Sequence, residues 1–245
     1  MMNEQLLQST EEVEQVVYSY LPAEEGHQKT IFEAMNYSVK AGGKRLRPLL
    51  MREVYRLFGG TGKEIEPFMA AIETAARAFQ MTDNAQRVGK CIGILAQKTG
   101  IYGMIGGQTV DVELTDKLIP KDKLDFIYRL KTGALLEAAM VIGAVMAGAS
   151  DEECETVERM AAAIGLAFQI QDDILDVTSS QEVLGKPVLS DEKNNKTTYV
   201  SLEGIEKAKR DVEKLSETAV DILYSLPGSN DFLEDLIKVL VSREK

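Results

Sequence analysis

The chain of 245 residues is long enough to bury a sizeable core, and its 44% hydrophobic and 27% charged residues are the balance of an ordinary globular domain. A formal net charge of −11, from 28 basic and 39 acidic side chains, argues against binding nucleic acid or anionic lipid, and it requires any phosphate site to be a local basic patch. Cys91 and Cys154 are too few for a disulfide framework or a metal cluster, so we expect two reduced, buried thiols.

Two features of the sequence bear on the location of the protein: its N-terminus and its longest apolar stretch. The N-terminus reads MMNEQLLQSTEEVEQ, which is acidic and amphipathic and unlike a signal peptide. The longest apolar stretch, Ala134–Ala149, is interrupted by Glu137 and is too short to span a bilayer. We therefore expect a cytoplasmic location without stable membrane insertion.

Helical spacing of apolar residues recurs along the chain, and no segment shows the period of two of a half-buried strand. The predicted helices, in chain order, are Asn3–Tyr20, Glu25–Val39, Pro48–Phe58, Pro67–Met81, Ala85–Val112, Asp122–Gly148, Asp151–Val177, Leu202–Tyr224 and Asp231–Ser242. Ser150 followed by Glu153 predicts a capping box before the seventh helix. Residues 179–198 are expected to form a polar, irregular loop. Because no repeat or linker divides the chain, we predict a single all-α domain over residues 1–245.

An acidic cluster ends the seventh predicted helix. Asp172 and Asp176 are four residues apart and share a helix face, and Asp173 lies about 100° round the helix. Gln169 lies one turn earlier on the same side. Three carboxylates beside apolar residues repel one another unless a cation joins them, and hard oxygen ligands suit Mg²⁺. A solvated acidic face is the alternative, but the apolar residues that flank the acids argue against it.

A basic run, AGGKRLRP, occupies residues 41–48. Gly43 and its neighbour allow close approach of the backbone to a ligand, and Lys44, Arg45 and Arg47 follow just before a predicted helix. Cations at a helix N-terminus form an anion site, and arginine can hold phosphate through two hydrogen bonds. An ordinary turn with solvated basic residues explains the run equally well.

A second group of lysines lies in the polar loop that follows the acidic cluster. Lys186, Lys193 and Lys196 are suited to the charge that develops on a departing diphosphate, although a flexible polar loop is the simpler reading of these residues alone. Lys131, next to Thr132, lies in an apolar helix and therefore either has an anionic partner or reaches out to solvent.

The segment GGQTVD at residues 106–111 is also a candidate. Gln108 and Asp111 lie three residues apart on one helix face, where they could stand beside a metal site. A role of the glycines in close helix packing is an equally good explanation.

In combination, these motifs resemble those of the trans-type isoprenyl diphosphate synthases. GGKRLRP, YGMIGGQTVD, KTGALLEAA, FQIQDDILD and LGKP followed by DEKNNKTTY occur in bacterial farnesyl and geranylgeranyl diphosphate synthases. The resemblance covers nearly the whole chain. It implies an antiparallel helical bundle around a deep cavity, a homodimer, Mg²⁺ as cofactor, and condensation of isopentenyl diphosphate with an allylic diphosphate.

The resemblance also assigns residues to these tasks. Gly43, Lys44 and Arg47 match the isopentenyl diphosphate site. The residues that match the family's binding site for the allylic diphosphate are Lys131, Thr132, Gln169, Lys186 and Lys196. The lysines of this set are the expected catalytic groups, because they stabilise the leaving diphosphate. Asp172, Asp173 and Asp176 match the second aspartate-rich motif, with Asp172 the foremost expected Mg²⁺ ligand. Gln108 and Asp111 are expected to lie next to the metal ligands and to orient them through hydrogen bonds.

The sequence departs from the family at one place. The family carries a first aspartate-rich motif soon after a helix like FMAAIE, whereas here Glu73 runs directly into TAARAF and Asp83 is alone. The flanking parts match, so a single internal gap of roughly 40–50 residues, about two helices with their connections, is inferred near residues 72–74.

Three explanations of the gap stay open: the molecule contains residues that this sequence omits, it is a deleted form, or it is a natural chain without the motif. The first two are favoured, because losing two helices exposes apolar faces of the remainder. A non-catalytic partner subunit is the main alternative function. A terpene cyclase is disfavoured because it has no need of GGKRLRP.

Overall fold

Every regular element in the part of the chain that the structure describes is helical. The computed structural model describes residues 2–25, 29–41, 44–70, 84–115, 117–178 and 197–242. The α-helices are α1 Met2–Ser19, α2 Lys29–Lys40, α3 Leu46–Leu57, α4 Glu66–Ala70, α5 Ala85–Thr99, α6 Met104–Glu113, α7 Lys121–Ile127, α8 Ala134–Ala147, α9 Asp151–Thr178, α10 Tyr199–Glu203, α11 Ile205–Ser225 and α12 Asp231–Ser242. A π-helical turn, Tyr128–Gly133, joins α7 to α8. The all-α prediction is thereby confirmed.

Helices α8 and α9 form the centre of the bundle. Helix α8 is apolar except for Glu137 and is buried on nearly every side, between α3, α5 and α9. Helix α9 packs in addition against α11, α12 and the π-turn. Helices α8 and α3 cross closely at Gly143. A Cβ atom at this position would lie only 2.3 Å from the carbonyl oxygen of Met51. Only glycine therefore permits this packing of the core.

Predicted and observed helices differ mainly at glycines. The predicted helix Ala85–Val112 is broken at residues 100–103 into α5 and α6, where Gly100 is extended. Gly204, with φ of 80°, separates α10 from α11, so that the last long helix begins three residues after the predicted Leu202. The predicted helix Pro67–Met81 is described only as far as Ala70, and its remainder lies outside the described residues.

Two local predictions are confirmed in detail. The Ser150 backbone N–H donates to Glu153 Oε2 at 2.6 Å, and the Glu153 N–H donates to Ser150 Oγ at 3.2 Å, so the capping box is complete. Cys91 and Cys154 are free and buried. Burial raises the pKa of Cys91 to about 12 and also raises the pKa of Cys154, which makes both thiols poor nucleophiles at neutral pH.

One continuous helical stretch, Lys121–Ala147, has the length and hydropathy of a membrane-crossing segment, and 72% of its apolar window is buried inside the fold. Glu137 within it is buried and forms an ion pair with Lys98 of α5. Lys98 also pairs with Glu158 of α9. The stretch therefore has the surroundings of a core helix, and its buried acid, Glu137, is neutralised across the bundle.

An apolar patch is exposed around the junction of α5 and α6. Ile101, Tyr102, Ile105 and Val112 are 71%, 82%, 50% and 62% exposed, respectively. Their spacing places Ile105 and Val112 on one face of α6.

Candidate active site

The π-turn Tyr128–Gly133 carries two of the predicted site residues, Lys131 and Thr132. A π-turn inserts one extra residue per turn into a helix, and such turns are found most often at functional sites. The extra residue shifts the side chains of this turn relative to those of α8. Lys131 and Thr132 therefore face neighbouring helices.

Lys131 has the anionic partner that its apolar setting requires. Its Nζ donates to Asp111 Oδ2 of α6 at 2.5 Å. Helix α6 can come this near because of Gly107, where a Cβ atom would lie only 2.4 Å from the backbone nitrogen of Lys131. Both explanations of the GGQTVD segment therefore apply. Gly107 allows α6 to pack against the π-turn, and Asp111 lies beside the candidate site.

Thr132 joins the π-turn to α9. Its Oγ1 donates to Gln169 Oε1 at 2.8 Å. Gln169 lies one helical turn before Asp172 on α9. The structure therefore brings together two of the residues expected to hold the allylic diphosphate, at the edge where the acidic cluster begins.

The three acids of α9 have different surroundings. Asp172 is half-buried, whereas Asp173 and Asp176 are 4% and 3% exposed. Asp173 Oδ2 accepts hydrogen bonds from the Tyr128 hydroxyl at 2.5 Å and from the Tyr199 backbone N–H at 2.7 Å. This one oxygen ties the π-turn, α9 and the start of α10 together, so Asp173 already performs a structural task.

The donor set at this end of α9 fits Mg²⁺. Magnesium prefers oxygen ligands and is commonly held by one or two carboxylates together with water and substrate phosphates. Among the described residues no three acidic, histidine or cysteine side chains converge as a ready-made metal site. A Mg²⁺ ion that is held by Asp172 together with substrate phosphate and water does not require three converging protein side chains. The assignment of all three acids as ligands stays a prediction.

A cavity of about 470 Å³ lies between the basic run and the centre of the bundle. Lys44 and Arg47 line one side, and Thr132, Leu136 and Phe168 line the other. Cations and a hydroxyl therefore face one another across an apolar floor. This is the geometry that a ligand with an anionic head and a hydrocarbon tail requires.

The three cations of the basic run are not equivalent. Arg45 has a φ of 50°, and its guanidinium donates to Glu14 Oε1 of α1 at 2.9 Å and to the Val39 carbonyl oxygen at 2.6 Å. It fastens the run to the bundle. Arg47 is exposed to solvent, but nearby protein atoms desolvate its guanidinium and lower its pKa from the ordinary value. Arginine stays charged throughout the working pH range, so Arg47 offers the cavity a weakly solvated cation.

Three predicted site residues, Gly43, Lys186 and Lys196, lie outside the described residues. Sequence reasoning missed Tyr128 and Tyr199, the partners of Asp173. In the sequence, Tyr128 could be noticed only through its position three residues before Lys131. Tyr199 could be noticed only as the last residue of the TTY motif. Both partners are far from Asp173 along the chain.

We expect the substitution Asp173→Ala to destabilise the fold by about 2–3 kcal/mol, because it removes the buried acceptor of two hydrogen bonds, from the Tyr128 hydroxyl and from the Tyr199 N–H. Asp172→Ala, at a half-buried position, serves as the control and should change stability by less than about 1 kcal/mol. Urea unfolding of the metal-free protein measures both values. Equal stability of the two variants, with Mg²⁺-dependent stabilisation lost in each, would show that Asp173 acts as a metal ligand only.

Comparison with known proteins agrees with this geometry. The sequence pattern of the polyprenyl synthetase family matches residues 67–222. A farnesyl diphosphate synthase of Micrococcus luteus is 34% identical over 279 residues, an alignment that covers 95% of this chain and 94% of that protein. A dimethylallyltranstransferase of Fischerella ambigua is 34% identical over 264 residues, an alignment that covers 87% of this chain and 75% of that protein. The first alignment is longer than the 245 residues of this chain, so that relative contains residues without a counterpart here.

Solved structures show the same bundle. A putative farnesyl-diphosphate synthase from Marinomonas superposes with a TM-score of 0.79 at 26% identity, over 97% of this chain and 99% of that one. A geranylgeranyl pyrophosphate synthetase from Pyrococcus horikoshii gives a TM-score of 0.84 at 21% identity, over 99% of both chains, and this likeness supports the fold alone. Motifs, cavity and relatives agree, and the chain belongs to the polyprenyl synthetase family of trans-prenyltransferases.

Proposed function

We propose that the complete molecule condenses isopentenyl diphosphate with an allylic diphosphate, dimethylallyl or geranyl, and that its product is farnesyl diphosphate. The observation that carries this proposal is the cavity of about 470 Å³ with Lys44 and Arg47 on one side and Thr132 on the other. A farnesyl diphosphate synthase is the relative that aligns with 95% of this chain and 94% of its own length, which supports the C15 product.

The proposed roles follow from the resemblance of these residues to the motifs of the family. Gly43, Lys44 and Arg47 bind isopentenyl diphosphate. Thr132 and Gln169, already hydrogen-bonded to each other, orient the allylic diphosphate together with Lys131, Lys186 and Lys196. Mg²⁺, held by Asp172, Asp173 and Asp176, supplies charge neutralisation of the diphosphate when bound.

The lysines act where negative charge develops. As the bond between the allylic carbon and the diphosphate oxygen breaks, Lys131, Lys186 and Lys196 stabilise the departing diphosphate. The double bond of isopentenyl diphosphate then forms the new carbon–carbon bond, and loss of a proton completes the 1′-4 condensation. Leu136 and Phe168 line the cavity with hydrocarbon and exclude water, which protects the cationic intermediate from hydrolysis.

The 245-residue chain has no acid pair near Glu73 that could form a second carboxylate wall opposite the acids of α9. We therefore expect it to bind diphosphates weakly and to perform little or no chain elongation. The apolar patch at Ile101, Tyr102, Ile105 and Val112 and the greater length of the Micrococcus alignment both support a missing internal segment.

A second candidate function is that of a non-catalytic partner subunit, which the absence of an acid pair near Glu73 favours. Such a subunit would associate with a complete synthase and alter its activity. It has no requirement for Asp172 or Lys131, so retention of these residues argues for the enzyme.

The proposal includes a cytoplasmic homodimer that binds no nucleic acid. The net charge of −11 supports the last point, because phosphate backbones repel an acidic surface. The homodimer and the location rest on the resemblance to the family.

Intact mass and product analysis together test the proposal. A mass near 27.0 kDa means that the gap is real, and incubation with dimethylallyl diphosphate, isopentenyl diphosphate and Mg²⁺ should then give no elongated product. A mass several kilodaltons higher means that residues are missing from the sequence, and the same assay should then yield farnesyl diphosphate. Hydrocarbon formed from an allylic diphosphate alone would overturn the proposal in favour of a cyclase.

A further inference from the structure

A second cavity, of about 460 Å³, lies on the far side of the π-turn from the candidate active site. Phe168 of α9 lines the first cavity, whereas Leu166 and Ile170 of the same helix line the second. Residues two apart on a helix point in nearly opposite directions. The two cavities are therefore separated by α9 and the π-turn, and they share no lining residue among those described.

The floor of the second cavity is apolar. Ala162, Leu166 and Ile170 of α9 and Leu215 of α11 form it, and three of these four side chains remain partly exposed. Partly exposed leucines inside a recess gain free energy when a hydrocarbon chain displaces the water next to them. The volume falls within the range of small-molecule sites.

The acids in the wall of this cavity are already neutralised. Asp125 is paired with Lys121 at 2.9 Å, and Asp211 is paired with Lys207 at 2.9 Å. The third acid, Glu137, forms its ion pair with Lys98. The acidic residues therefore contribute little net negative charge to a ligand in the cavity.

Two cations of the wall are not neutralised in this way. Arg129 of the π-turn and Lys214 of α11 are exposed, and neither side chain forms an ion pair or a hydrogen bond with any residue in the described ranges. They stand on two different elements that border the same recess. In a chain with a net charge of −11, two such cations beside an apolar floor form a local site for an anion.

We infer that the second cavity binds a small amphiphilic anion, that is, a linear hydrocarbon chain with a phosphate or diphosphate head. Arg129 and Lys214 receive the head, and Leu166, Ile170 and Leu215 receive the chain. This site is separate from the proposed catalytic cavity, and it stands whether or not the chain elongates prenyl diphosphates.

Calorimetric titration with dodecyl phosphate, below its micelle concentration, tests the inference. We expect a binding event that the double variant Arg129→Gln/Lys214→Gln weakens about tenfold. Lys209→Gln/Arg210→Gln removes the same two charges from exposed positions of α11 that do not line the cavity, and it should leave the affinity within about twofold. Inorganic phosphate and dodecyl maltoside should each bind far more weakly, because each lacks one half of the ligand.

A variant of the first cavity separates the two sites. Lys44→Gln/Arg47→Gln should leave the event that depends on Arg129 unchanged. Binding that is lost only in the Lys44 and Arg47 variant would assign the ligand to the catalytic cavity and overturn the inference. Equal weakening by the control on α11, or no binding of dodecyl phosphate, would overturn it as well. All six charges removed in the three double variants are on exposed side chains, so the variants should fold normally.

Discussion

Insertion of a segment with an aspartate pair between Ile72 and Thr74 should turn the 245-residue chain into an active synthase. The segment would span roughly 40–50 residues, about two helices with their connections, and would carry the first aspartate-rich motif that the resemblance to the family implies. We expect elongated product to rise at least about a thousandfold, since the second carboxylate wall supplies on the order of 4 kcal/mol of transition-state stabilisation through bound metal. Mass spectrometry of the products from dimethylallyl and isopentenyl diphosphates measures the gain.

Two controls attribute the gain to the metal site. The same insertion with both aspartates replaced by asparagine should restore the cover over the apolar patch at Ile101 and Tyr102 without restoring activity. Asp172→Asn in the extended chain should abolish the activity while the protein stays folded. Efficient elongation by the unextended 245-residue chain would show that one wall suffices, and it would refute our account of the gap.

Local signals were enough to predict the helices of the centre. The seventh helix was predicted at Asp151–Val177 and is observed at Asp151–Thr178. Its start is encoded within four residues by Ser150 and Glu153, which cap each other. Because a cap and an apolar period are both properties of neighbouring residues, they can be recognised without knowledge of the rest of the fold.

The π-turn could not be predicted from the same signals. A period of 3.6 residues describes Asp122–Gly148 well, and one extra residue at Tyr128–Gly133 shifts that period too little to be seen. The turn packs against another element, since Gly107 of α6 lies against the backbone of Lys131, and the sequence of Asp122–Gly148 carries no record of that contact. The sequence leaves open whether Lys131 pairs with an anion or reaches solvent, and only the fold shows that it pairs with Asp111.

Equivalent residues in a motif also receive different tasks through distant contacts. Lys44, Arg45 and Arg47 are alike as a basic run, yet Arg45 turns away to Glu14, which is 31 residues earlier in the chain. Asp173 is likewise one of three acids, and its partners Tyr128 and Tyr199 are 45 and 26 residues away. Spacing along a helix indicates which acids share a face, but it carries no information about what packs against that face.

A buried ion network in α3 should make Glu53 one of the most sensitive positions for stability. Glu53 is 2% exposed, and its Oε1 accepts from Arg52 Nε at 2.9 Å and from Arg56 Nη1 at 3.0 Å. Asn230, just before α12, donates to Glu53 Oε2 at 3.1 Å. Arg52 is itself 8% exposed, and its Nη2 atom already has no hydrogen-bond partner. The carboxylate therefore compensates a buried guanidinium that has no other buried counter-ion among the described residues.

Glu53→Ala should lower the free energy of unfolding by about 3–5 kcal/mol, because it leaves Arg52 charged and buried without its nearest anion. For a chain of this size the loss corresponds to a fall of about 10 °C in Tm, which differential scanning calorimetry measures. Glu206→Ala is the matched control: its ion pair with Lys209, at 3.8 Å, is 77% exposed on the glutamate side, and its removal should cost less than about 0.5 kcal/mol. Equal effects of the two substitutions would mean that Glu12, the other partner of Arg52 and itself 51% exposed, suffices to hold the buried charge.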